Sequence, residues 1–179
     1  MKQNKTDLAI KAATGVLLVA LAWVIVSSMQ EHVVSVGDSA PTFTVKTLKG
    51  TEMSPRNFGG KLLVLNFWAS WCGPCVQEMP SLVEFQKMFE PQGVVVLAIN
   101  VDRREDNYRN MIKRFQVSFE TAWDPKENVS YKYGTFKFPE SYIIRDGKVV
   151  QKYAGLPDVN GEWRPWTDPE IIRYVKSLL

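Results

Sequence analysis

Two nearly unbroken apolar runs organise the chain, Leu62-Leu63-Val64-Leu65-Asn66-Phe67-Trp68 and Val94-Val95-Val96-Leu97-Ala98-Ile99. Such runs suit strands covered on both faces, the habit of parallel sheets. Between them, Met79, Leu82, Val83, Phe85 and Phe89 recur at helical spacing over 75–89. The three segments predict a βαβ unit. Tyr108, Met111, Ile112 and Phe115 form one stripe of a second helix over 105–115. Later, Tyr142-Ile143-Ile144-Arg145 and residues 148–153 flank Asp146-Gly147. Asp-Gly between apolar runs predicts a hairpin whose turn residues take positive φ. Asp168 and Pro169 open a terminal helix over 168–178. Before the first run, Phe43, Val45 and Lys49-Gly50 predict a small hairpin ending near Met53, and Ser54-Pro55 the start of a short helical turn. The aromatics and methionines on these stripes are read as core, and Trp163 and Trp166 as packing residues.

The most apolar stretch lies ahead of all of these. Residues 12–29, AATGVLLVALAWVIVSSM, carry no charge. At about 1.5 Å per residue the run spans roughly 27 Å, close to the hydrocarbon thickness of a bilayer. Lys2, Lys5 and Lys11 precede it, and Glu31 and His32 follow. The positive-inside rule then puts residues 1–11 in the cytoplasm, 12–29 across the membrane as an uncleaved signal-anchor, and the rest outside. Residues 30–40 read as a polar tether and 41–179 as one folded domain. A cleaved signal peptide has the same charge pattern, but the exit Val26-Ser27-Ser28-Met29-Gln30 lacks an Ala-x-Ala site.

Composition mainly excludes. The chain has 179 residues, two cysteines and one histidine. That set cannot complete a four-ligand Cys/His zinc site or hold a Cys-ligated iron–sulfur cluster, so no metal is expected. Cys72 and Cys75 are three residues apart and form no disulfide framework. His32 lies outside the expected folded body, which argues against a Cys–His or Ser–His hydrolase. Net charge is +3, with no basic run, so nucleic acid is not an expected partner.

The chemistry concentrates at Trp71-Cys72-Gly73-Pro74-Cys75, which follows a buried strand and opens a helix. A helix N-terminus presents unpaired N–H groups and partial positive charge, which stabilise a thiolate. Cys72 is therefore read as the attacking sulfur, with a depressed pKa. Pro74 falls in the first turn, where a missing N–H costs nothing. Cys75, almost one turn further in, resolves the mixed disulfide. No cofactor is needed beyond the redox-active Cys72–Cys75 pair.

Asn66-Phe67-Trp68-Ala69-Ser70-Trp71-Cys72-Gly73-Pro74-Cys75 resembles the active-site run of the thioredoxin superfamily, and the likeness extends over most of 62–179. Pro80 stands where that family has a helix-kinking proline, Pro139 where it has its cis-proline, and Gly155 where it has a late glycine. The resemblance implies a thioredoxin fold, an α/β domain with a mixed central sheet flanked by helices. Here it would carry an N-terminal β-hairpin extension and a βαβ-region insertion, and be preceded by one transmembrane helix. It also implies that Pro139 contacts substrate backbone and that Trp71 shields the site and shapes the docking surface. Asn66 replaces a buried aspartate of cytosolic thioredoxin, and an amide cannot take a proton from Cys75. Glu78, about one helical turn after Cys75, can. Glu140, directly after Pro139, is expected close by as a second acid on the substrate side.

The anchor, the hairpin and the W-C-x-x-C-x-x-E pattern are similar to the TlpA, ResA and CcmG type of membrane-anchored thiol-disulfide oxidoreductases. That likeness implies an extracytoplasmic reductant of protein disulfides, apocytochrome c among its substrates, supplied with electrons by a membrane reductase. Gly73-Pro74 matches thioredoxin itself, whose potential is about −270 mV. Two rival readings stay open. One is a copper carrier or apocytochrome-binding chaperone, with Met79 near the cysteines. The other is a peroxiredoxin-like peroxidase, because Val36-Gly37-Asp38-Ser39-Ala40-Pro41-Thr42-Phe43 resembles that family's start.

Overall fold

The structure, a computed structural model, describes residues 5–28, 33–154 and 164–179, with side chains in the first stretch given for 10–24. The chain divides into two compact units, Met1–His32 and Val33–Leu179. The first holds helix α1 (Lys5–Ser28), whose apolar side chains, Val16, Leu17, Val19 and Trp23 among them, are exposed. Among the described residues no helix is long and apolar enough to cross a membrane. The expected span 12–29 runs past the residues whose side chains are described.

The second unit is built on strands β1 (Val45–Lys46), β2 (Glu52–Met53), β3 (Leu62–Trp68), β4 (Val94–Asn100), β5 (Glu120–Trp123), β6 (Glu140–Arg145) and β7 (Lys148–Ala154). Its helices are α2 (Gly73–Phe89), α3 (Glu105–Arg114), α4 (Asn128–Lys132) and α5 (Pro169–Ser177). The main sheet has the order β5-β4-β3-β6-β7. β3, β4 and β5 run parallel, while β6 and β7 are antiparallel to their neighbours. This is a thioredoxin-like α/β fold with a mixed sheet. Both apolar runs form its centre because each side chain of β3 is buried.

Alternation along the strands divides the core in two. Leu62, Val64 and Trp68 of β3, with Ile143 of β6, face α2, α3 and α5. Leu63, Leu65 and Phe67, with Tyr142 and Ile144, face the N-terminal extension and α4. The Asp146-Gly147 turn has φ of 51° and 73°, as the hairpin reading requires.

Residues 33–40 belong to the domain and are not a tether. Val34 has no exposure and Ala40 only 7%. Gly37 N–H donates to Val149 O at 2.8 Å, Val149 N–H to Asp38 O at 2.9 Å, and Ala40 N–H to Gly147 O at 2.8 Å. The unit boundary falls at His32/Val33, and tether residues 30–32 lie outside the described residues. Beyond the β1–β2 hairpin contacts, Leu48 N–H reaches Thr121 O at 2.7 Å on β5. The extension is thus a strap that hydrogen-bonds both outer strands. Ser54-Pro55 forms no helical turn. Ser54 and Asn57 exchange backbone hydrogen bonds, and the Ser54 hydroxyl accepts from Asn57 N–H at 3.0 Å, which closes a tight turn instead.

Candidate active site

β3 ends at Trp68 and α2 begins at Gly73, so the dithiol sits at the carboxyl end of a central strand. Cys72 is the N-cap of α2, with extended backbone, and its sulfur accepts the Cys75 N–H at 3.2 Å. Pro74 occupies the first turn. The two sulfurs are bonded to each other, with Cα atoms 5.2 Å apart. Cys72 keeps 6% exposure and Cys75 none, so the first sulfur alone can meet a partner disulfide. A Cβ on Gly73 would meet nothing within 4 Å, so packing does not dictate a glycine there.

Glu78, one turn along α2 from Cys75, is 3% exposed. Its carboxylate accepts from Asn66 Nδ2 at 2.8 Å and from Trp166 Nε1 at 3.3 Å. Burial pushes its pKa up to about 7, and the two donors pull in the opposite direction. Asn66 Nδ2 also donates to Ser141 Oγ at 2.9 Å. The amide that replaces an acid on β3 therefore holds the acid on α2. A cavity of about 20 Å³ borders Glu78, Pro139, Ser141, Arg164 and Trp166, with room for one water.

The Phe138–Pro139 peptide is cis. It lies beside the dithiol because β6 starts opposite the end of β3, with Glu140 in register with Phe67. Trp71, 67% exposed, sets its ring edge-on against Phe138 at 6.0 Å. Glu140 does not join the dithiol. Ser141 turns toward Asn66 and Glu78, so strand alternation sends Glu140 through the opposite face. There its carboxylate accepts from Tyr142 Oη at 2.8 Å and from the Thr135 hydroxyl, and pairs with Lys152 Nζ at 2.9 Å. Met79 has no exposure and packs in the core.

Two contributors were not legible as site residues. Asp102, 1% exposed, accepts from Ser70 N–H at 3.1 Å, Ser70 Oγ at 2.9 Å and Asn100 Nδ2 at 2.9 Å. It clamps the loop that carries Trp71 and Cys72. Trp166 packs on Phe85 and Tyr153, as a packing residue should, but its indole N–H also serves Glu78. Gly155 and Trp163 lie outside the described residues. Trp166→Phe keeps an aromatic ring and removes the donor. Losing a hydrogen bond to the charged form raises a carboxyl pKa. The Glu78 titration, followed by NMR of a labelled side chain, should move above about 7. An unmoved midpoint would leave the indole a packing role only.

A helix-capping dithiol at the end of a buried parallel strand, flanked by a cis-proline turn and backed by a buried acid, defines a thioredoxin-like thiol-disulfide oxidoreductase. The profile of the AhpC/TSA family matches residues 36–153. Thiol-disulfide oxidoreductase ResA of Geobacillus kaustophilus is 32% identical over 181 aligned positions, covering 99% of each chain. ResA of Bacillus thuringiensis subsp. konkukian is 34% identical over 127 residues, 70% of this chain and 73% of that one. A crystal structure assigned as thiol:disulfide interchange protein DsbE from Chlorobium tepidum superposes with a TM-score of 0.70 at 27% identity, over 81% of this chain and 98% of that one. The chain belongs to the AhpC/TSA family, within its TlpA, ResA and CcmG type.

Proposed function

We propose that this protein is a membrane-anchored, extracytoplasmic reductant of protein disulfides that acts in cytochrome c maturation, on apocytochrome c cysteines, with electrons from a membrane reductase. The observation that carries the reading is the pairing of a helix-capping Cys72 with a buried acid, Glu78, poised near neutrality one turn from Cys75. The ResA relatives support the activity class. The uncharged run 12–29 behind three lysines supports the anchor.

In the reduced protein the Cys72 thiolate attacks a substrate disulfide. A Cys72–substrate disulfide forms, and one substrate sulfur leaves as thiolate and takes a proton. Cys75 then gives its proton to the Glu78 carboxylate and attacks Cys72 Sγ. The second substrate sulfur leaves and is protonated. Two electrons have passed to the substrate, its two sulfurs have taken one proton from solvent and one that Glu78 received from Cys75, and the Cys72–Cys75 disulfide remains. Two electrons from the membrane reductase reopen it. The Asp102 clamp fixes Cys72 throughout, and Pro139 and Trp71 face the incoming chain.

Trapping tests the reading. A Cys75→Ala variant should hold its substrate on Cys72 as a stable mixed disulfide, and mass spectrometry of the adduct should identify apocytochrome c. Adducts that never contain it would remove the maturation role. A midpoint potential close to thioredoxin's about −270 mV supports a reductant, and one near the about −120 mV of DsbA would overturn it. Peroxide turnover that survives Cys75→Ser would transfer the assignment to a one-cysteine peroxidase.

A further inference from the structure

Among the described residues of the domain, three aromatic side chains are largely exposed: Trp71 at 67%, Tyr131 at 65% and Phe136 at 50%. One adjoins Cys72, and the other two lie on the stretch that enters Pro139. Tyr131 and Phe136 form an edge-to-face pair at 5.7 Å, as Trp71 and Phe138 do at 6.0 Å. The stretch beneath them is pinned. Asp124 accepts Asn128 N–H at 3.1 Å and Val129 N–H at 2.7 Å, which fixes the start of α4. Tyr133 is fully buried against Phe67 and Tyr142. With Tyr133 and Thr135 inward, Tyr131 and Phe136 are held outward. Exposed rings on a rigid frame lose little freedom when something binds them. Lys137 and Lys132, whose ammonium also donates to Thr42 O at 3.2 Å, are exposed beside them, and between Tyr131 and the buried Glu140 there is no acid, the nearest earlier one being Glu127.

We propose that the Tyr131–Phe136 pair is a docking subsite for the polypeptide whose disulfide meets Cys72. It takes a bulky apolar side chain, with acidic neighbours facing Lys132 and Lys137. The proposal rests on the disulfide-reductase reading above. It commits to the substrate polypeptide because Phe136, which carries the pair, stands three residues ahead of Pro139 on the short connection to Phe138, the ring that Trp71 meets beside the reactive sulfur. Three residues of chain span at most about 10 Å, so Phe136 lies within that reach of Pro139. The apolar side chain should therefore lie two to four residues from the attacked cysteine.

The test uses the full chain, reduced, and nine-residue glutamate-bearing peptides whose single cysteine is disulfide-linked to 2-mercaptoethanol. A phenylalanine is walked along the peptide, and each rate is divided by the rate with hydroxyethyl disulfide, which is too small to reach the rings. At the best position phenylalanine should raise the relative rate about tenfold over alanine. The gain should vanish in the Tyr131→Ser/Phe136→Ser variant and persist in Tyr131→Phe. Replacing the peptide's glutamates by lysines should lower it. A gain equal in parent and double variant, or absent at every position, overturns the subsite alone. A dimer of the parent that the double variant loses assigns the rings to self-association and also overturns it. No exchange even with hydroxyethyl disulfide would overturn the reductase reading, and the subsite with it.

Discussion

Glu78→Gln protein is expected to release substrate from the Cys72 mixed disulfide about 100-fold more slowly than the parent at pH 8, the low end of what a positioned general base contributes. The sign of the pH dependence follows from the raised pKa. Glu78 must be ionised to accept the Cys75 proton, and burial keeps it protonated until pH approaches about 7. In the parent, the resolution rate should climb through that pH and then level. In the variant the climb should be absent, because an amide has no proton-accepting form in this range. The first step should be little changed, since Cys72 draws its activation from the start of α2. Rapid quenching with acid, followed by separation of the mixed disulfide, measures both steps. A variant with the parental profile would remove Glu78 from the proton path.

Lys152→Met should destabilise the domain by about 3 kcal/mol, because it leaves the Glu140 carboxylate buried without its cation. For a domain of this size that is a fall of about 6–12 °C in Tm, read by calorimetry. The figure is at the low end because the Lys152 side chain keeps 17% exposure. Lys152 also donates to Val34 O at 3.1 Å and lies 5.1 Å from the Tyr142 ring centre, so the strap loosens with it. Adding Glu140→Gln removes the stranded charge, and the double variant should recover most of the loss. If the double variant were as unstable as the single, lost packing and not charge would be the cause.

The sheet and the dithiol were legible because their signals are local. Leu62–Trp68 is apolar but for Asn66, Asp146-Gly147 needs no tertiary partner to read as a turn, and a C-x-x-C between strand and helix carries its own electrostatics. Glu140 misled because adjacency in sequence to Pro139 is not adjacency in space. In a strand, neighbouring side chains leave by opposite faces, and Ser141, not Glu140, faces α2. Ser141-Tyr142-Ile143-Ile144 shows no polar–apolar alternation because both faces of β6 are buried, and which parity α2 covers depends on β6 pairing with β3. Trp166 reaches Glu78 across 88 residues, a contact no spacing rule encodes. The strap was half seen. Its strands have two residues each, too short for a period, and nothing in the sequence around Val34 encodes its complete burial.

The strap also bears on how the domain stays out of trouble. A five-stranded open sheet presents two rows of unpaired backbone groups, a standing invitation to pair with another chain. Here one edge is met by residues 37–40 along β7 and the other by residues 47–48 along β5, from one continuous segment. The same segment covers an apolar face through Val34, Phe43 and Met53. Trimming the chain to the part common to small thioredoxins would therefore uncover both rims and that face together. The stub would keep its reactive sulfurs and become prone to aggregate, even though nothing at the dithiol had been touched.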